Sequence, residues 1–153
     1  MATTDTSLMN QQLDALLFQE TNLVANLSNA SALLNSTYDD LNWAGFYLYN
    51  QTTNELDLGP FQGKVACMHI KVGAGVVGTA FKTQTNQRIK DVHQFPGHIA
   101  CDSASNSEIV IPITKDGRQI GVLDVDSPSL DRFTAENEAE LTEFVKILTQ
   151  HID

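Results

Sequence analysis

The first third of the chain is patterned for helices. Leu8, Leu13, Leu16, Leu17, Val24 and Leu27 recur at roughly helical spacing, and Leu33-Leu34 follows a polar NASA stretch, which predicts one or two amphipathic helices over residues 1–40. From Asn42 the period changes. NWAGFYLYN is aromatic and β-prone, and the turn-like NQTTN leads into ELDLG, so a strand, a turn and a second strand are expected. VACMHI at 65–70 reads as a further strand, followed by VGAGVVGTAFKTQ, a glycine-rich turn running into a short helix. The stretch KDVHQFPGHIACDSASNS has no period and contains Pro96; a loop of this length in a small domain is usually a lid or a site. EIVIPIT and RQIGVLDVDS form a strand pair turning at Lys115-Asp116-Gly117. Thr134 as N-cap, Glu136 and Glu138 in the first turn, and the stripe Leu141, Phe144, Val145, Leu148, Ile152 mark a closing helix over 134–153.

Helices at both ends of a run of strands over 41–133 predict one α+β domain, a mostly antiparallel sheet backed by the terminal helices. The length, 153 residues with 42% hydrophobic, suits one core. A formal net charge of −10 repels phosphate backbones and anionic headgroups, so neither nucleic acid nor a membrane surface is an expected partner. MATTDTSLMN has neither the basic start nor the apolar run of a signal peptide, which points to the cytoplasm.

In that reducing setting Cys67 and Cys101 fit inert packing or transient redox chemistry better than a permanent staple. Cys67, placed mid-strand on one face with Val65 and His69, reads first as a small buried hydrophobe. Cys101 differs, because the small residues of GHIACDSASNS let backbone N–H groups converge and stabilise a thiolate. Their spacing excludes a CxxC motif and leaves pairing through the fold open. A metal centre on Cys67, His69, His93, His98 and Cys101 is disfavoured, since only His98 and Cys101 have knuckle-like spacing. Gly73, Gly75 and Gly78 mimic a nucleotide loop but lack the ribose-binding acid.

Asp124 and Asp126 share one face of their strand, which on pattern alone could be a solvated face; Glu108 on the preceding strand could join them. Three converging carboxylates would bind an ammonium group and raise at least one pKa toward neutrality. Their convergence depends on the hairpin. A two-residue loop Asp116-Gly117 turns Glu108 away from the aspartates, whereas the three-residue loop Lys115-Asp116-Gly117 sets Glu108 opposite Asp124. The three-residue loop is therefore expected. Trp43 and Tyr47 share a face of their strand and, with Tyr49, could wall an apolar pocket for a methyl group.

Taken in order, NWAGFYLY, LGPFQGKVAC, DVHQFPGHIACDSASNSEIVIPI, KDG and GVLDVDSP resemble the free methionine-(R)-sulfoxide reductases from about Leu41 to Phe133. The resemblance implies a single GAF domain with a six-stranded antiparallel sheet, reduction of the R epimer of free methionine sulfoxide, and a pocket that excludes peptide-bound substrate. It places the catalytic cysteine on Cys101 and the resolving cysteine on Cys67. The acidic pocket falls on Glu108, Asp124 and Asp126, and the methyl-contacting aromatics on Trp43 and Tyr47. Many members carry a third cysteine where this chain has Val77. The implied reductant is thioredoxin, with no metal or organic cofactor, and a homodimer is among the compatible assemblies. The alternative is a non-catalytic GAF sensor that binds a small molecule, for which the chain length leaves no output domain and an active-site thiol has no use.

Overall fold

The computed structural model describes residues 6–99, 101 and 103–153. Its elements run α1 (Leu8–Leu16), α2 (Leu23–Thr37), β1 (Trp43–Asn50), β2 (Glu55–Gly63), β3 (His69–Lys71), α3 (Gly75–Thr83), β4 (Gln87–Ile89), β5 (Ser107–Lys115), β6 (Arg118–Ser127) and α4 (Ala135–Thr149). A 3-10 turn over Val92–Gln94 precedes the irregular segment that carries Cys101. Among the described residues no helix is long and apolar enough to cross a membrane.

The strands form one antiparallel six-stranded sheet in the order β3-β2-β1-β6-β5-β4. Alternation along the strands makes two unlike faces. Ala44, Phe46, Ile109, Ile111, Ile113, Leu123 and Val125 meet the buried stripes of α1, α2 and α4 in the main core. Trp43, Tyr47, Val110 and Val122 lie on the other face, with Val76, Val77, Ala80 and Phe81 of α3. This is the expected α+β sheet backed by terminal helices.

Three local expectations are corrected. In α1 and α2 the buried stripe is Met9, Leu13, Leu17, Leu27, Ala30 and Leu34, whereas Leu8, Leu16 and Val24 are exposed. Their spacing matched a helix, but tertiary contact chose the neighbouring face; residues 1–5 of the expected helical segment lie outside the described residues. VACMHI is not a strand: only His69–Lys71 pairs with β2, and Cys67 sits in the preceding connection, where Val65 and Met68 are exposed. With no partner beyond Asp57↔His69 in the register, alternating apolar side chains alone do not hold an edge strand. The short β4, which pairs with β5 from Gln87↔Val110 to Ile89↔Glu108, had no sequence signal of its own. The C-terminal reading holds, with the Thr134 side chain accepting from the Asn137 N–H at 3.0 Å and Asn137 capping back.

The hairpin is the third correction. Asp116 (φ 50°) and Gly117 (φ 77°) form a two-residue loop between the partners Lys115 and Arg118. That loop by itself would have turned Glu108 away. A bulge restores the face: Thr114 pairs with Gln119, but Ile113 pairs with Gly121, leaving Ile120 as an extra residue on β6. From there Glu108 faces Asp126 and Val110 faces Asp124. Gly121 makes the bulge possible. Its φ is 157°, and a Cβ there would stand 2.1 Å from the Tyr47 carbonyl oxygen of the adjoining strand.

Candidate active site

Register determines which side chains meet. On the α3 face, Trp43 of β1, Asp126 of β6 and Glu108 of β5 lie in one row across three strands, and Asp124 is two residues from Asp126 on the same strand. Carboxylate oxygens of Glu108, Asp124 and Asp126 lie within 4.8 Å of one another, and all three residues are buried. The expectation of a solvated face is excluded by that burial; the expected cluster is present, with Glu108 opposite Asp126 rather than Asp124.

Burying three acids together changes their titration. Desolvation, followed by the charges of Asp124 and Asp126, raises the Glu108 carboxyl well above the usual carboxylate range. Glu108 also hydrogen-bonds both aspartates, which it can do as the protonated donor. Asp124 is raised by burial to about 6, while the hydrogen bond from Glu108 lowers it. A neutral acid, Glu108, thus stands beside Asp124, which ionises near neutral pH.

Trp43 and Tyr47 stack with ring centroids 5.8 Å apart, and Phe61 stacks on Trp43 at 5.0 Å. The Trp43 and Tyr47 rings, the carboxylates and the start of α3 line a pocket together with His98, Ser105 and Cys101. Tyr49 does not join them; it packs on Phe81 at 4.7 Å and hydrogen-bonds Asn54. Two buried polar atoms at this pocket, Trp43 Nε1 and Asp124 Oδ1, have no partner among the described residues, so a polar ligand would satisfy both. Gly75 (φ 61°) turns the chain into α3, whose first residues, with N–H groups that lack intrahelical acceptors, line the same space.

Cys67 and Cys101 are joined in a disulfide, with Cα atoms 5.3 Å apart. Cys101 lines the pocket and Cys67 follows the pocket residue Ala66. The reading of Cys67 as an inert buried hydrophobe is corrected: it is half-exposed and bonded. The connection that bears it is tied at its carbonyl, which accepts from the Tyr47 hydroxyl at 2.9 Å, and at Met68, whose carbonyl accepts from the Leu58 N–H. The imidazoles of the disfavoured metal set are scattered. His69 bonds Asp57 at 2.8 Å, and His93 bonds Asn106 at 3.0 Å. Only His98 reaches the pocket, held below its ordinary pKa by burial and then by His93. Ser105 carried no spacing that sequence reasoning could use, and His98 and the glycines before α3 suggested only a metal knuckle and a nucleotide loop, because the tertiary fold alone brings these groups to the rings.

The GAF domain family model matches residues 30–153. The chain is 54% identical over 137 residues to the free methionine-R-sulfoxide reductase of Escherichia coli, covering 90% of this chain and 82% of that protein. Its fold matches the substrate complex of the Staphylococcus aureus fRMsr with a TM-score of 0.90 at 50% identity, over 99% and 97% of the two chains. The substrate complex of the Neisseria meningitidis free methionine-R-sulfoxide reductase matches with a TM-score of 0.91 at 41% identity, over 99% and 92%.

Proposed function

The chain belongs to the GAF-domain family and, within it, to the free methionine-R-sulfoxide reductases, and from that premise we propose that it reduces free L-methionine (R)-S-oxide to L-methionine with its own two cysteines. The observation that carries the reading is the Cys67–Cys101 disulfide at the rim of a pocket walled by paired aromatics and three buried acids.

The chemistry asks for those groups. A sulfoxide sulfur resists a thiolate until its oxygen takes a proton. Glu108, kept neutral by burial and by its two aspartate neighbours, is the proton donor. The Cys101 thiolate attacks the protonated sulfoxide and forms an S–S bond to its sulfur; the hydroxyl then transfers from that sulfur to Cys101 as the S–S and substrate S–O bonds break, so methionine leaves with a new lone pair on sulfur and Cys101 is left as a sulfenic acid. The Cys67 thiol then displaces that hydroxyl as water and closes the disulfide. The dithiol of thioredoxin reduces it in a reducing cytoplasm, so no metal or organic cofactor enters the cycle.

Binding uses the same walls. Trp43 and Tyr47 hold the S-methyl group, and Asp124 and Asp126 take the ammonium. The substrate carboxylate fits the unfilled N–H groups at the start of α3. A peptide-bound residue has no ammonium to place against the buried aspartates, and their charge is then left without a cation. The S epimer exchanges methyl and oxygen between the aromatic wall and Glu108.

A single-turnover assay on the reduced protein tests this. Free R epimer releases close to one methionine per chain, whereas free S epimer and a peptide sulfoxide release none. A non-catalytic binder releases none from any of the three.

A further inference from the structure

Tyr47 has two ends with different surroundings. Its ring is 2% exposed and stacked on Trp43 in the aromatic wall. Its hydroxyl passes beyond that wall and donates to the Cys67 carbonyl at 2.9 Å. Cys67 lies in a connection without regular structure between β2 and β3, flanked by Val65 at 88% and Met68 at 70% exposure. Ala66 and Cys67 pack half-buried against the core on this face while Val65 and Met68 do not, so packing fixes this stretch only in part. The Tyr47 bond and the bond from the Leu58 N–H to the Met68 carbonyl tie it to the sheet, and the disulfide ties it to Cys101.

The disulfide is absent whenever the enzyme is ready to turn over. We propose that the Tyr47 hydroxyl is a positioning group for the resolving step: in the reduced protein it holds the Cys67 backbone over the pocket so that the Cys67 thiol reaches the Cys101 sulfenic acid. The inference rests on the cysteine roles proposed above and adds a residue to their second step. In that step the S–O bond of the sulfenic acid breaks and the S–S bond forms. The Cys67 thiol proton and the hydroxyl leave as water, and no further oxidant is needed. The rate of such a closure depends on how often the two sulfurs come within bonding range, which a fixed backbone anchor raises.

The phenol suits the task chemically. Burial, and then the charges of Asp124, Asp126 and Glu108, raise its pKa above the ordinary tyrosine value, so it remains a donor across the working pH range. An anchor made by a backbone carbonyl also leaves the Cys67 side chain free to rotate toward Cys101 in one state and toward a partner thiol in the other. The same side chain thus couples the wall against which the substrate methyl rests to the segment that completes the reaction.

Tyr47→Phe removes the hydroxyl and keeps the ring. Reduced wild-type and variant proteins are mixed with one equivalent of free R sulfoxide and quenched over time. Methionine, sulfenic acid trapped with a cyclic 1,3-diketone, and the Cys67–Cys101 disulfide are quantified in the same samples. Any effect of the variant on substrate binding is read in the methionine trace; the inference concerns only the lag of disulfide behind methionine. In wild type the two traces nearly coincide. In Tyr47→Phe the lag lengthens about tenfold, the weight of one net hydrogen bond, and trapped sulfenic acid accumulates as it does in Cys67→Ser. Tyr47→Phe closing its disulfide as promptly as wild type after methionine release overturns the inference. Wild type releasing no methionine overturns the cysteine roles beneath it. Thermal unfolding of the variant within a few degrees of wild type, together with a lengthened lag, assigns the effect to positioning rather than to loss of the fold.

Discussion

Glu108 stands opposite Asp126 across the β5–β6 ladder although the hairpin joining their strands has a two-residue loop, because the extra residue Ile120 shifts the register by one before the acids are reached. Without the bulge Glu108 would point at the isoleucine face, where an unpaired carboxyl costs several kcal/mol (roughly 2–7). The site therefore depends on a backbone irregularity at Gly121, 13 residues along the chain from the acid it aligns.

That dependence can be tested directly. Gly121→Ala drives a methyl group to 2.1 Å from the Tyr47 carbonyl oxygen, so β1 and β6 must separate or the bulge must move. The expected outcome is a loss of about 3 kcal/mol or more in urea unfolding. The remaining folded protein should have lost methionine release, since Tyr47, Asp124 and Asp126 all flank this contact. A variant of unchanged midpoint and activity would refute the role given to the bulge.

The two cysteines should separate cleanly. Cys101→Ser gives no methionine even in one turnover, while Cys67→Ser releases close to one per chain and then stops, unable to cycle with thioredoxin. The reverse pattern would exchange their roles. Equal activity of both variants with thioredoxin would remove them from the reaction.

Glu108→Gln keeps the size of the side chain and removes the acidic proton. Single-turnover methionine release should fall by about 100-fold or more. The wild-type rate should decline as pH rises through the elevated Glu108 pKa, and the variant should show no such limb. An unchanged alkaline limb in Glu108→Gln would assign the proton to another group.

Stability should respond to pH with a fixed sign. Glu108 and Asp124 are both raised in the folded state, so the folded protein holds protons that the unfolded chain releases. The Asp124 contribution is present in full below its unfolded value near 3.8 and is lost as pH climbs through about 6. Thermal midpoints measured at constant ionic strength should fall across that window, and less so in Asp124→Asn. A wild-type midpoint that rises across it would contradict the buried cluster.

Metal analysis bears on the disfavoured reading. Protein purified under reducing conditions should carry no stoichiometric zinc, because ligation would hold the thiolates that must exchange. About one zinc per chain would replace the disulfide cycle with a metal centre on Cys67 and Cys101.

The sequence by itself determined the terminal helices, the β1–β2 and β5–β6 strand pairs, the apolar stripe of α4 and its Thr134 cap, the placing of Trp43 with Tyr47, and the pairing of Asp124 with Asp126 on one face. Each follows from local periodicity or capping, which a short window contains. Leu8, Leu16 and Val24 were equally periodic yet ended exposed, because a helix with apolar residues on more than one side is oriented by what it meets. Only the tertiary structure decided that Cys67 leaves the strand, that the Tyr47 hydroxyl holds its carbonyl, and that His98 and Ser105 reach the pocket. Glu108 illustrates the division most clearly. Its chemistry was legible in the residue, but its face was set by the bulge beside Gly121, where close contact with β1 rather than the hairpin sequence fixes the register.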